Sequence, residues 1–274
     1  MSARRNDVAR HAARALAAIA VSLFTVTCSG DKTTQPPPGP TQLAFKISPG
    51  NSTAGVTFAP SVVVEARDAD GNLVSDYTGT IALTIVTNPG SGTLSGTTSL
   101  NAVGGVATFS TLSINKSGSG YKLQATSGNL TAAQSALFNI TAASATKLDF
   151  TNVPASFQAG VQFALTVTAH DPFDNVATDF TGQVTLALNG TGGAILSGNT
   201  TVTATGGVAD FVSLSIDKVG NAFSFGATGG GLSAVTSGTF NVSPGPATDL
   251  IITGQPSNTA AAASISPAGT VTAH

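Results

Sequence analysis

Two stretches of this 274-residue chain gather the oxygen-bearing side chains that could do chemistry. The first is "DADGNLVSDYTG", Asp68 to Gly79, with Asp68, Asp70, Asn72 and Asp76. The second is "DPFDNVATDFTG", Asp171 to Gly182, with Asp171, Asp174, Asn175 and Asp179. Carboxylate and amide oxygens crowded into one short loop are the ligands calcium prefers, and Gly71 permits the sharp turn such a loop needs. The ligand set is not reproduced, however: Asp70 aligns with Phe173 and Gly71 with Asp174. No bidentate Glu follows at the spacing of a helix-loop-helix calcium site. Asp and Asn also hydrogen-bond their own backbone in turns. Turn chemistry is the expected role, with calcium as the weaker alternative and no other cofactor.

Other reactive constellations fare worse. His170 beside Asp171 has the composition of a metal ligand or a base, but Arg67 holds the equivalent place in the first stretch, and Arg cannot ligate a metal. A strand-end residue facing solvent is expected there. Nucleophilic catalysis needs a base oriented by a third group. Only His170 and His274 follow the N-terminal segment, and both sit in repeated positions. A carboxylate pair for glycoside chemistry would have to come from Asp residues at variable turns. Gly229 to Gly231 is a turn where the earlier stretch has Ser127, Gly128 and Asn129, so it is no phosphate loop. No enzymatic activity is expected.

Elements that must position these loops follow from composition. Only 9% of residues are charged, 31 are Gly and Glu65 is the single Glu. Ser, Thr, Ala, Val and Gly dominate, which suits short strands and tight turns. From Cys28 onward 7 Lys/Arg face 12 Asp/Glu, a net of 7 − 12 = −5. No basic, aromatic-lined surface is left for phosphates, which excludes nucleic acid as an expected partner.

The N-terminus reads as an export signal over 1–27. Arg4, Arg5, Arg10 and Arg14 precede "ALAAIAVSLFTVT", Ala15 to Thr27, an apolar run too short to span a bilayer but suited to a helical signal peptide. Cys28, the only cysteine, follows directly and cannot form a disulfide within the chain. Its position resembles the lipidated cysteine of bacterial lipoproteins, with "TVTC" as the lipobox. That resemblance implies a membrane anchor through Cys28. Thr25 and Thr27 depart from the usual pattern, so conventional cleavage near Ser29 is the alternative. Residues 28–40 include "SGDKTTQPPPGP", a tether in which three prolines favour an extended polyproline II path.

Beyond the tether the chain repeats itself. Leu94 to Thr141 aligns without a gap on Leu196 to Ser243, with 23 identities in 48 positions. "TQLAF", "TKLDF" and "TDLII" open successive units at Thr41, Thr146 and Thr248. Within each unit apolar residues alternate: Val62, Val64, Ala66; Ile81, Leu83, Ile85; Tyr121, Leu123, Ala125; and in the second unit Leu165, Val167, Ala169; Val184, Leu186, Leu188; Phe223, Phe225, Ala227. Period-two runs broken by Gly, Pro, Asn and Asp predict half-buried antiparallel strands. About seven strands in about 100 residues predict an all-β chain of tandem immunoglobulin-like antiparallel β-sandwiches. Phe109, Phe211, Phe138 and Phe240 are the candidate core anchors. The expected domains are 41–143, 144–245 and, at 246–274, the truncated start of a third; its two strand-like segments cannot enclose a core.

The region from Pro40 resembles the tandem bacterial immunoglobulin-like repeats of surface proteins, invasin- and intimin-type domains among them. The residues carrying the resemblance are "DADGN", "DYTGTIALTI", "GGVATFSTLSINKSG" and "YKLQATSGNL". It implies an extracellular setting: a non-enzymatic cell-surface or outer-membrane lipoprotein, alternatively a secreted one, serving as stalk or adhesion module. The expected partners are the membrane and a surface glycan or protein ligand, with monomeric modules. The rival reading is a set of accessory spacers in a larger secreted enzyme, such as a polysaccharide-degrading one, whose catalytic domain lies beyond residue 274.

Overall fold

A computed structural model describes residues 38–274, except 248, 256, 257, 259, 265–268 and 274. The expected signal peptide at 1–27, Cys28 and most of the expected tether lie outside the described residues. The described chain is all-β, and among these residues no helix is long and apolar enough to cross a membrane.

The first immunoglobulin-like sandwich sets a three-stranded antiparallel sheet against a six-stranded one. Gln42–Ile47, Val62–Arg67 and Val106–Phe109 form the smaller sheet. Gly118–Thr126 and Thr80–Thr87 form the middle of the larger, with Phe138–Thr141 and Ser99–Asn101 outside them. In the second sandwich Lys147–Thr151, Phe163–His170 and Val208–Ile216 repeat the first group, and Gly220–Gly229 with Gln183–Asn189 repeats the second. Leu232–Thr236 pairs with Gly220–Gly229 and also touches Lys147 through Ser233, so the second sandwich closes into one 10-stranded sheet. The first has only an isolated bridge there, Gln42 to Thr131.

The seven strands expected per unit appear as 11 and 10 segments among the described residues. The opening strand accounts for part of the excess. It breaks at Pro49-Gly50 and resumes as Ser52–Thr53 in the other sheet; in the second unit it breaks at Pro154 and resumes as Ser156–Gln158. Proline has no N–H to offer the ladder, so pairing stops there and the chain can change sheets.

Each sandwich has its own core. Phe109, Tyr121 and Phe138 anchor one, Phe211, Phe223, Phe225 and Phe240 the other, all fully buried or nearly so. Each such side chain contributes about 1.5–3 kcal/mol through the apolar surface it removes from water. Alternation breaks in strand Val62–Arg67, where Val63 and Glu65 are buried as well. Glu65 is held by Lys46 at 2.8 Å and Arg67 at 3.0 Å, which lets a charged group sit where the pattern predicts solvent. The Lys46 hydrogen bond is the main force holding its carboxyl below the usual range.

After the second sandwich, Leu250–Gly254 and Thr270–Ala273 pair as an antiparallel hairpin whose side chains are largely exposed.

Candidate functional site

Both Asp loops are built by the same local rule. An Asp at the end of a strand accepts backbone N–H groups two and four residues on, and an Asn at the fourth position closes the turn. In the first loop Asp68 Oδ1 accepts from Asp70 N at 3.0 Å and Asn72 N at 2.8 Å, while Oδ2 accepts from Asn72 Nδ2 at 3.2 Å. Gly71 takes φ +85°, the left-handed conformation that completes the turn. In the second loop Asp171 Oδ1 accepts from Phe173 N at 2.8 Å and Asn175 N at 2.9 Å, and Oδ2 accepts from Asn175 Nδ2 at 2.8 Å.

The two loops then part company. Asp171 is 0% exposed, and its Oδ2 also accepts from Ala143 N, on the linker between the sandwiches, at 2.9 Å. Asn175, 6% exposed, reaches into the preceding sandwich: Nδ2 donates to Asn115 O at 2.9 Å and Oδ1 accepts from Ser117 N at 3.0 Å. Lys116 Nζ donates to the carbonyl of Phe173. The Phe173 ring packs against the first core, over Gly55, where a Cβ would lie 2.3 Å from the ring. Lys147 pairs with Asp174 beside it. Together these groups make a joint between the repeats.

Burial pushes the Asp171 carboxyl up, but the hydrogen bonds from Asn175, Ala143 and Phe173 outweigh that, and it titrates below the usual carboxylate value. Asp68 also lies low, chiefly through the backbone hydrogen bond from Asn72. Asp174 lies low because of its hydrogen bond to Lys147.

Comparison with solved structures finds distant similarities only. FdeC, an Escherichia coli adhesin, shares 19% identity and a TM-score of 0.38 over 77% of this chain and 67% of its own. Domains 4–9 of the surface layer protein SbsC give 18% identity and a TM-score of 0.29 over 80% and 34%. A β-glycosidase from Bacteroides vulgatus gives 11% and 0.29, and this chain spans 24% of it. No family model matches the sequence, and no curated protein does.

Among the sequence candidates, then, Asp171 and Asp174 come together at the joint, with Asp174 on its exposed rim. Asp68 sits in its own loop, while Asp70, Asp76 and Asp179 are exposed. Among the described residues no group of three or more His, Cys, Asp or Glu side chains is placed to hold a metal. The Asp68 and Asp171 oxygens are engaged by N–H donors, the opposite of what a cation needs. His170 is half-buried at the strand end, with Nδ1 buried and unpartnered, and its carbonyl accepts from Thr146 N at 2.8 Å. Asn115, Lys116, Ser117 and Gly55 escaped sequence reasoning, since nothing in the first repeat alone marks them as a receptor.

Proposed function

We propose that this chain is a non-enzymatic, exported bacterial surface lipoprotein, anchored through Cys28, whose immunoglobulin-like repeats act as a stalk or adhesion module. The joint is the observation that carries this reading. A stalk must fix each repeat against the next, and Asp171 and Asn175 commit buried polar groups to doing so. A surface glycan or protein ligand would be met by exposed loops and strand edges, where scaffolded β domains place recognition. The same joint suits a spacer role in a larger secreted enzyme, which shares the mechanics but not the anchor.

Fractionation of cells expressing the full chain tests the anchor. Wild type should pellet with membranes and be cut by protease added to intact cells, and C28A should move to the soluble exported fraction. Retention in the cytoplasm, or equal membrane association of C28A, would overturn the lipoprotein reading. Binding of the exported chain to cells or glycan surfaces then separates adhesion from a spacer, for which no binding is expected.

A further inference from the structure

The second repeat carries its own copy of the receptor that Phe173 fills in the first. Ala159-Gly160, Asp217-Lys218-Val219 and Pro244-Gly245 stand where the first repeat has Ala54-Gly55, Asn115-Lys116-Ser117 and Ala142-Ala143. The frame is the same in detail. Gly55 N donates to Ile114 O at 2.9 Å and Gly160 N to Ile216 O at 2.8 Å, with φ of +77° and +74°. Ala54 N donates to Thr141 O at 2.8 Å, and Ala159 N to Ser243 O at 2.9 Å. Asn115 Oδ1 accepts from Thr93 N at 2.8 Å, and Asp217 Oδ1 from Ile195 N at 2.6 Å.

What differs is occupancy. A Cβ on Gly55 would strike the Phe173 ring, whereas among the described residues a Cβ on Gly160 would meet nothing within 4 Å. Gly160, Asp217, Lys218, Val219 and Gly245 line an open cleft of about 760 Å³. Lys116 donates to the carbonyl of Phe173; Lys218, with no such loop beside it among the described residues, donates to Gly193 O at 2.9 Å in its own repeat. The linker also keeps its one required donor. Gly245 replaces Ala143 and retains an N–H between Pro244 and Pro246, neither of which could donate. Strand Thr270–Ala273 repeats Thr166 to Ala169 residue for residue, and Ala273 already lines the cleft.

We infer that this cleft is a receptor for the D-x-F-x-N loop of a further repeat. The aromatic ring lies over Gly160, and the carbonyl of that aromatic residue accepts from Lys218. The Asn accepts from Val219 N and donates to Asp217 O, and the Asp accepts from Gly245 N. The inference rests on the likeness of the two receptors and not on the surface role proposed above.

A cyclic peptide, AHDPFDNVA, reproduces the loop in isolation. Its ends are adjacent in the fold, since Ala177 N donates to Ala169 O at 2.9 Å. Titrated into the isotopically labelled full chain, it should shift the amides of Gly160, Lys218, Val219 and Gly245, with half-saturation at about 1 mM. Gly55 and Lys116 should stay still, because their receptor is filled from within the chain. A ring carrying Phe173→Asp should bind at least about tenfold more weakly. Absence of saturable shifts up to about 10 mM, equal shifts from the Phe173→Asp ring, or shifts centred elsewhere would each overturn the inference.

Discussion

Loops 68–72 and 171–175 share one turn and have different work. Both begin with an Asp whose carboxylate gathers N–H groups, and both close with an Asn at the fourth position. In the first, the third residue is Asp70, exposed, and the amide of Asn72 donates within its own loop. In the second, the third residue is Phe173, and Asn175 keeps the own-loop bond to Asp171 while both its side-chain atoms also bond the neighbouring sandwich. The lesson is that an ordinary turn becomes a domain joint through one aromatic residue and an amide that adds bonds across the seam to the one it keeps at home. The carboxylate network that resembles a cation site is the scaffold that makes this possible.

The comparison is broken most directly at the Asn pair. Asn175→Ala leaves Asn115 O and Ser117 N without their side-chain partner at a part-buried seam and takes one of two donors from Asp171 Oδ2, which keeps Ala143 N, and should cost about 2–3 kcal/mol. Asn72→Ala, at an exposed position, should cost about 1 kcal/mol or less. Thermal unfolding of the full chain, with amide exchange at Ser117, reads both. Equal losses would mean that the joint adds nothing to the turn. The glycines give the next largest contrast. Gly55 and Gly160 have nearly the same φ, so Ala costs each about 1–2 kcal/mol in backbone strain. Only Gly55→Ala also drives a methyl into a ring, adding about 1–3 kcal/mol. That excess should vanish in a Phe173→Ala background, and its persistence would show that the ring is not the obstacle.

Much of this architecture was legible in the sequence, and the joint was not. Period-two runs such as Leu165, Val167 and Ala169 come out buried along one face because a sandwich core imposes that period directly. Phe109, Phe211, Phe138 and Phe240 are buried as anchors for the same reason. Strand Val62–Arg67 departs from the pattern because ion pairs cover the face that alternation assigns to water. The joint stayed hidden because its receptor is mostly backbone: Asn115 O, Ser117 N and the bare Cα of Gly55 carry no side-chain signature. One signal was present. A phenylalanine in the middle of a polar turn, where its repeat has Asp70, is an apolar group with no reason to face water.

Exchanging those residues measures how much that one position decides. Phe173→Asp puts a charge against the first core and removes the ring, for a loss of about 2 kcal/mol with the sandwiches themselves intact. Asp70→Phe should leave stability within about 0.5 kcal/mol, since among the described residues nothing is packed to receive it. Separate calorimetric transitions for the two sandwiches in Phe173→Asp, against a more coupled transition in wild type, would locate the loss at the joint. A single unchanged transition would place Phe173 outside the coupling.

Acid gives the smallest effect and separates the loops by consequence rather than by sign. Asp68 and Asp171 both have folded pKa values below the ordinary carboxylate value of 3.8. Each therefore contributes stability that is fully present above that value and is lost as pH falls through the lower folded one. Protonating Asp68 frees only donors of its own loop, Asp70 N and Asn72 N. Protonating Asp171 weakens its hold on Ala143 N and on the Asn175 amide, so linker and joint loosen together. Below about pH 4, protection of the Ala143 and Ser117 amides, taken relative to their intrinsic exchange rates at each pH, should fall in step, while Asp70 and Asn72 respond on their own. Asp171→Asn should abolish the acid step at Ala143 and leave that at Asn72 untouched. If Ala143 and Ser117 titrate independently, the carboxylate does not couple linker to joint, and the two loops differ only in the residue at their third position.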